Sequence, residues 1–117
     1  MREIKFRGLN RNSNEWKYGY LVVDEKYTQI WQKGDVPVIV DPETIGQFIN
    51  LRDKNNKEIY EGDRIKSKYE FGWPFTDDSE VFFSHQGAEV KIGDSFVLLT
   101  NLKDVEIIGN IYENPEL

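Results

Sequence analysis

The sequence predicts a mostly-β fold: one small domain over residues 1–117, built of short antiparallel strands in a barrel-like or multi-sheet arrangement, with at most one short helical turn near residues 42–49. Three observations point there. Val, Ile and Thr number 24 and aromatics 16 among 117 residues, while alanine, the best helix former, occurs once, at Ala88. Turn signals recur every 8 to 15 residues. The length also suits a single modest core.

Arg2–Arg7 alternates polar and apolar residues, with Ile4 and Phe6 on one face, as an edge-like strand does. Gly8–Glu15 reads as a polar turn, and Trp16–Val23 as a second strand. Asp24-Glu25-Lys26 turns into a strand at Tyr27–Trp31. Lys33-Gly34-Asp35 turns again into Val36–Val40, where Pro37 marks an edge. Asp41 precedes Pro42 as an N-cap precedes proline at the first helical position, so Pro42–Ile49 reads as a short helical turn or coil.

Asp53-Lys54-Asn55-Asn56 is a strong turn signal before a short strand at Lys57–Tyr60. Glu61-Gly62-Asp63 connects tightly to Arg64–Tyr69, and Phe71-Gly72-Trp73-Pro74-Phe75 forms an aromatic loop. Asp77-Asp78 leads into a strand around Glu80–Ser84. Glu89–Ile92 and Ser95–Leu99 flank Gly93-Asp94, a two-residue hairpin whose leading glycine suits a type II′ turn. Val105–Ile111 is the last strand, and Asn114-Pro115 ends the domain.

Charge is unevenly spread. Residues 1–68 hold 13 of the 15 Lys/Arg and 11 of the 21 Asp/Glu, leaving an acidic remainder within a net charge of −6. Three arrangements follow from this: neutralisation across strands within the fold, head-to-tail self-association of basic and acidic halves, or an acidic face offered to a basic partner. The acidic balance disfavours broad binding to nucleic acid. No apolar run is long enough for a membrane span and no secretory leader is expected; zero cysteines suit a reducing, cytoplasmic setting.

Glu61 and Asp63 flank Gly62 and could form a carboxylate pair for metal or acid–base work, but the glycine and the flanking Ile59 and Ile65 fit a structural turn better. Arg64, Lys66 and Lys68 alternate along one strand face, as an anion-binding stripe or as a face neutralised by Asp77, Asp78 and Glu80. Ser84 and His85 are adjacent, so on an extended chain they point to opposite faces and cannot form a nucleophile–base pair. No phosphate-loop, dinucleotide, nucleophile-elbow or zinc-protease motif occurs, so neither enzyme activity, cofactor nor metal is expected. Phe71, Trp73 and Phe75 are hard to bury in a hairpin turn and are the first candidates for a subunit or partner contact.

The opening Met1-Arg2-Glu3-Ile4-Lys5-Phe6-Arg7 resembles that of YopX-type proteins of bacilli and their phages. The resemblance continues at Val40-Asp41-Pro42-Glu43-Thr44-Ile45-Gly46-Gln47-Phe48, through Leu51-Arg52-Asp53-Lys54-Asn55-Asn56-Lys57-Glu58-Ile59-Tyr60-Glu61-Gly62-Asp63, and from Ile107-Ile108-Gly109 to Leu117. Two positions depart from the commoner pattern: Ile49-Asn50 stands where Thr-Gly is usual, and Asn56 where Gly is frequent. Both bear on local turn geometry. The resemblance implies a mostly-β, phage- or prophage-encoded cytoplasmic protein and carries over no catalytic residue.

Three functions are therefore expected in turn. The first is an accessory protein that works by binding or as a homo-oligomer, through Phe71–Phe75 and its complementary charges. The second is an acidic decoy or regulator of a host nucleic-acid-binding protein, with Glu70, Asp77, Asp78, Glu80, Glu89 and Asp94 as its surface. The third is a weak nucleic-acid binder using Arg64, Lys66 and Lys68.

Overall fold

The computed structural model describes residues 3–113, which form twelve strands and two 3-10 turns. They fall into two compact units that divide between Phe48 and Ile49. The sheets are several and antiparallel, the multi-sheet form of the predicted mostly-β class. The readings at Arg2 and at Asn114-Pro115 lie outside the described residues.

In the first unit, β1 (Phe6–Asn10), β2 (Glu15–Val23), β3 (Thr28–Trp31), β4 (Val38–Ile39) and the start of β5 (Gly46–Arg52) lie in the order β4-β3-β2-β1-β5. Asp24 makes the β2–β3 turn by accepting hydrogen bonds from the Lys26 and Tyr27 amides, both at 2.8 Å. Leu9, Ile30, Val40 and Phe48 are buried. The first strand starts later than the alternation suggests and runs through Gly8. A Cβ there would lie 2.6 Å from the Val40 Cγ2, so glycine at this position is a strand residue under close packing and not a turn residue.

Asp41 caps a 3-10 turn at Pro42–Thr44 by accepting from the Glu43 amide, as the Asp-Pro pair predicts. The turn ends there. Residues 46–49, expected as helical turn or coil, belong instead to the strand Gly46–Arg52, because Gly46 and Gln47 pair with Arg7 and Phe6. The Thr44 hydroxyl accepts from the Leu9 amide at 2.8 Å and donates to the Asp41 carbonyl at 2.7 Å, which fixes the turn against β1.

The second unit is built on a core of Ile49, Ile59, Ile65, Val81, Val90, Leu99 and Leu102. Here β5 pairs with β6 (Glu58–Tyr60). β7 (Asp63–Lys66) lies between β8 (Ser79–Glu80) and β12 (Glu106–Asn110), while β10 (Gly87–Ile92) lies between β9 (Phe82–Ser84) and β11 (Ser95–Leu98). A second 3-10 turn at Leu99–Asn101 exceeds the one helical turn expected. It exists because Leu99 and Leu102, three residues apart, both enter the core, and the Leu102 amide closes the turn on the Leu99 carbonyl at 3.0 Å. β12 carries a register shift between Ile107 and Gly109, so the consecutive Ile107-Ile108 marks a bulge.

The two departures at turn positions have a common explanation. Asn50 and Asn56 both adopt left-handed backbone, with φ of +64° and +66°. Asparagine is the residue that replaces glycine there at least steric cost. Gly93 takes φ +61°, as the first central position of a type II′ turn requires. No helix among the described residues is long and apolar enough to cross a membrane.

Candidate functional site

Residues 67–76 leave the β7–β8 pair as an arm. At its base the Ser67 amide donates to the Thr76 carbonyl at 2.8 Å, and the Thr76 amide to the Ser67 hydroxyl at 3.0 Å; both residues are buried. The Lys68 amide is held by the Lys103 carbonyl at 3.0 Å. At the tip the Trp73 amide bonds the Glu70 carbonyl at 2.8 Å around Gly72, whose φ of +84° suits the third position of a type II turn. A Cβ on Gly72 would meet nothing within 4 Å, so the turn stands in open space.

This geometry turns the rings outward. Phe71 is 94% exposed, Tyr69 64%, Trp73 41% and Phe75 39%. Tyr69 and Phe75 meet edge-to-face at 5.0 Å between centroids. The Lys103 ammonium lies 5.7 Å from the Trp73 ring centre and ion-pairs with Glu70. That pair holds the Glu70 carboxyl below its ordinary value, chiefly through the hydrogen bond from Lys103, and raises Lys103 in return. Phe71, Trp73 and Phe75 are thus brought together at one tip, joined by Tyr69 and Lys103, which sequence reasoning did not place there. Tyr69 reads as the end of a strand, and Lys103 arrives from 33 residues away.

The acidic candidates separate. Glu70 is spent on Lys103 and Asp78 on Arg64, Glu89 is buried, and Asp77, Glu80 and Asp94 remain exposed. The basic stripe separates too. Arg64 is buried, its Nε donating to Asp78 at 3.0 Å with a second bond to the other oxygen. Lys66 lies 3.5 Å from Glu106, which Lys54 also approaches at 3.3 Å. The Glu106 carboxyl is held below its ordinary value, first by the Lys54 hydrogen bond. An open hollow of about 470 Å³ is lined by Lys54, Lys66 and Lys68, but Asp104 and Glu106 line it as well and offset most of their charge. Part of the charge split along the sequence is therefore neutralised within residues 49–117.

Glu61-Gly62-Asp63 is a structural turn. The buried Asp63 accepts from the Tyr60 amide at 2.8 Å, Gly62 has φ +89°, and a Cβ at Gly62 would touch the Tyr112 ring at 3.0 Å. His85 is exposed in the β9–β10 turn, while the Ser84 hydroxyl accepts from the Gln86 amide at 3.0 Å. Among the described residues no three His, Asp or Glu side chains are grouped to hold a metal ion.

Short antiparallel strands in several sheets, bracing an aromatic arm, define the chain as a mostly-β, multi-sheet protein. It belongs to the YopX family: the model of that family, described as YopX protein, matches residues 3–117. It is also similar to the crystal structure of protein EF1440 from Enterococcus faecalis, with TM-score 0.60 and 22% identity over 97% of this chain and 96% of that one. This likeness is one of fold. Among curated proteins, none matches.

Proposed function

We propose that the protein is a phage- or prophage-encoded accessory protein of the cytoplasm that works by binding, without catalysis, and that its arm tip docks on a second copy of the same chain. The observation that supports this most is Phe71, 94% exposed on a turn fixed at its base by buried hydrogen bonds. A ring held out by a rigid support loses little conformational entropy on docking and gains about 1.5–3 kcal/mol when buried. The tip also suits its own image. It offers rings at the centre with a carboxylate, Glu70, and an ammonium, Lys103, beside them. A two-fold contact sets rings on rings, and because Glu70 and Lys103 already neutralise each other beside them, it buries no uncompensated charge there.

Sedimentation velocity of the wild type across a salt series tests this reading. Exposed ion pairs are screened over about 8 Å at physiological ionic strength and about 3 Å at 1 M, whereas ring burial is not weakened by salt. The expected result is a dimer that persists at high salt. Dissociation to monomer as salt rises would overturn the aromatic contact in favour of a purely electrostatic one.

A further inference from the structure

The β9–β10–β11 sheet turns Phe83, Ala88, Val90, Ile92 and Val97 towards the core. Alternation places Phe82, Glu89, Lys91, Phe96 and Leu98 on the opposite face, where solvent-facing polar residues are expected. Glu89 departs from that expectation. It lies in register between Phe82 and Leu98 and is only 6% exposed. Among the described residues its carboxylate has neither a hydrogen bond nor an ion pair, and its oxygens reach solvent. Lys91, two residues on, extends its ammonium over the Phe96 ring, 6.0 Å from the centre, and forms no ion pair with Glu89.

A carboxylate with no partner of its own, whose side chain is packed between strands and whose oxygens reach solvent, gains a charge-assisted bond when a cation meets it there. Glu89 lines an open hollow of about 540 Å³ with Phe82, Ser84, His85, Gln86 and Phe96. This volume falls within the range of about 300–1,000 Å³ typical of small-ligand sites. Phe82 and Phe96 meet edge-to-face at 5.8 Å, forming an aromatic wall beside the carboxylate. A carboxylate beside phenyl faces is the combination that recognises an organic cation, through charge and through the ring quadrupoles together.

We propose that this hollow binds an alkylammonium group, with Glu89 as counter-ion and Phe82 and Phe96 packing on the alkyl stem. Phosphates and carboxylates are excluded by the same charge. The site stands apart from the arm-tip reading and uses none of its residues.

The test is NMR titration of the full chain with n-butylammonium, with Nα-acetyl-lysine methylamide, and with the norleucine analogue of the latter, which lacks the charge. Expected are shifts at Glu89 and at the Phe82 and Phe96 rings with both amines, little with norleucine, and at least a tenfold loss of affinity in Glu89→Gln. Binding of the lysine derivative alone would assign the ammonium to a protein side chain, and binding of both amines would admit free amines. Phe96→Leu, which alters an exposed ring, is expected to weaken amine binding severalfold and keeps the test valid where Glu89→Gln fails to fold. Equal response to lysine and norleucine derivatives, or amine affinity unchanged in Glu89→Gln or Phe96→Leu, would overturn the proposal.

Discussion

Asp53→Ala is expected to cost about 2–3 kcal/mol of stability, lowering the melting temperature by on the order of 10 °C. The Asp53 carboxylate accepts three backbone hydrogen bonds: Oδ1 from the Asn55 and Lys57 amides, both at 2.9 Å, and Oδ2 from the Ile107 amide at 3.1 Å. The first two shape the β5–β6 turn. The third fastens that turn to a strand 54 residues further on. Removing the acceptor strands three donors beside a buried position. Asp53→Asn should lose less than alanine, because its oxygen can still serve two amides while its nitrogen faces the Ile107 N–H, donor against donor.

The same site gives an acid dependence. Burial pushes the Asp53 carboxyl upward, but the amides of Ile107, Lys57 and Asn55, with the Lys57 charge, more than offset it and hold it below its ordinary value. A group whose folded value is depressed stabilises the fold above its unfolded value and loses that contribution as pH falls through the folded one. The stability gap between wild type and Asp53→Ala is therefore largest near neutrality and narrows on acidification below the ordinary carboxylate range. Chemical denaturation at neutral and acid pH checks both statements. An alanine variant as stable as wild type at neutral pH would remove Asp53 from this role.

The double variant Phe71→Ser, Trp73→Ser is expected to weaken self-association by at least about a hundredfold while leaving the melting temperature of the monomer nearly unchanged. Aromatic residues at the centre of a contact typically contribute about 2 kcal/mol or more each, and a hundredfold is about 2.7 kcal/mol. The fold should tolerate the change. Phe71 lies outside the core cluster and almost wholly in solvent, and the hydrogen bonds at the base of the arm involve Ser67 and Thr76. Sedimentation velocity of variant and wild type at matched concentrations reads the effect. Equal association would show that the tip does not mediate it, and a collapse in stability would show that the rings support the arm.

How much of this was legible in the sequence depends on the range of the interactions involved. Local chemistry was readable: Asp24 in its turn, Asp41-Pro42 at the 3-10 start, Gly62 beside Asp63, and Gly93 before Asp94 all do what their side chains dictate within a few residues. The strand at residues 46–52 was not, because Gly46, Gln47 and Asn50 spoil the alternation and the extended form is imposed by pairing with β1 and β6. Nor was the second 3-10 turn, since its cause is the tertiary burial of Leu99 and Leu102.

At the candidate site, the Phe71–Phe75 loop was conspicuous as a sequence feature, and its exposure follows from the open turn at Gly72. Lys103 beside Trp73 has no local signal. Arg64, Lys66 and Lys68 lie at period-2 positions, as alternation requires, yet Arg64 is buried against Asp78 while Lys66 faces Glu106. Alternation assigns a face; it does not say what covers that face. Glu89 shows the same limit, its outward position being readable and its burial depending on Phe82 and Leu98 from neighbouring strands.

The central claim is that the arm tip meets the arm tip of a second copy. It is tested most directly by placing a photo-crosslinking side chain at position 71 and mapping the cross-linked peptides by mass spectrometry. The expected result is a covalent dimer whose second peptide includes residues 69–75. A chain that stays monomeric on irradiation, or a dimer whose second peptide lies elsewhere, would contradict it.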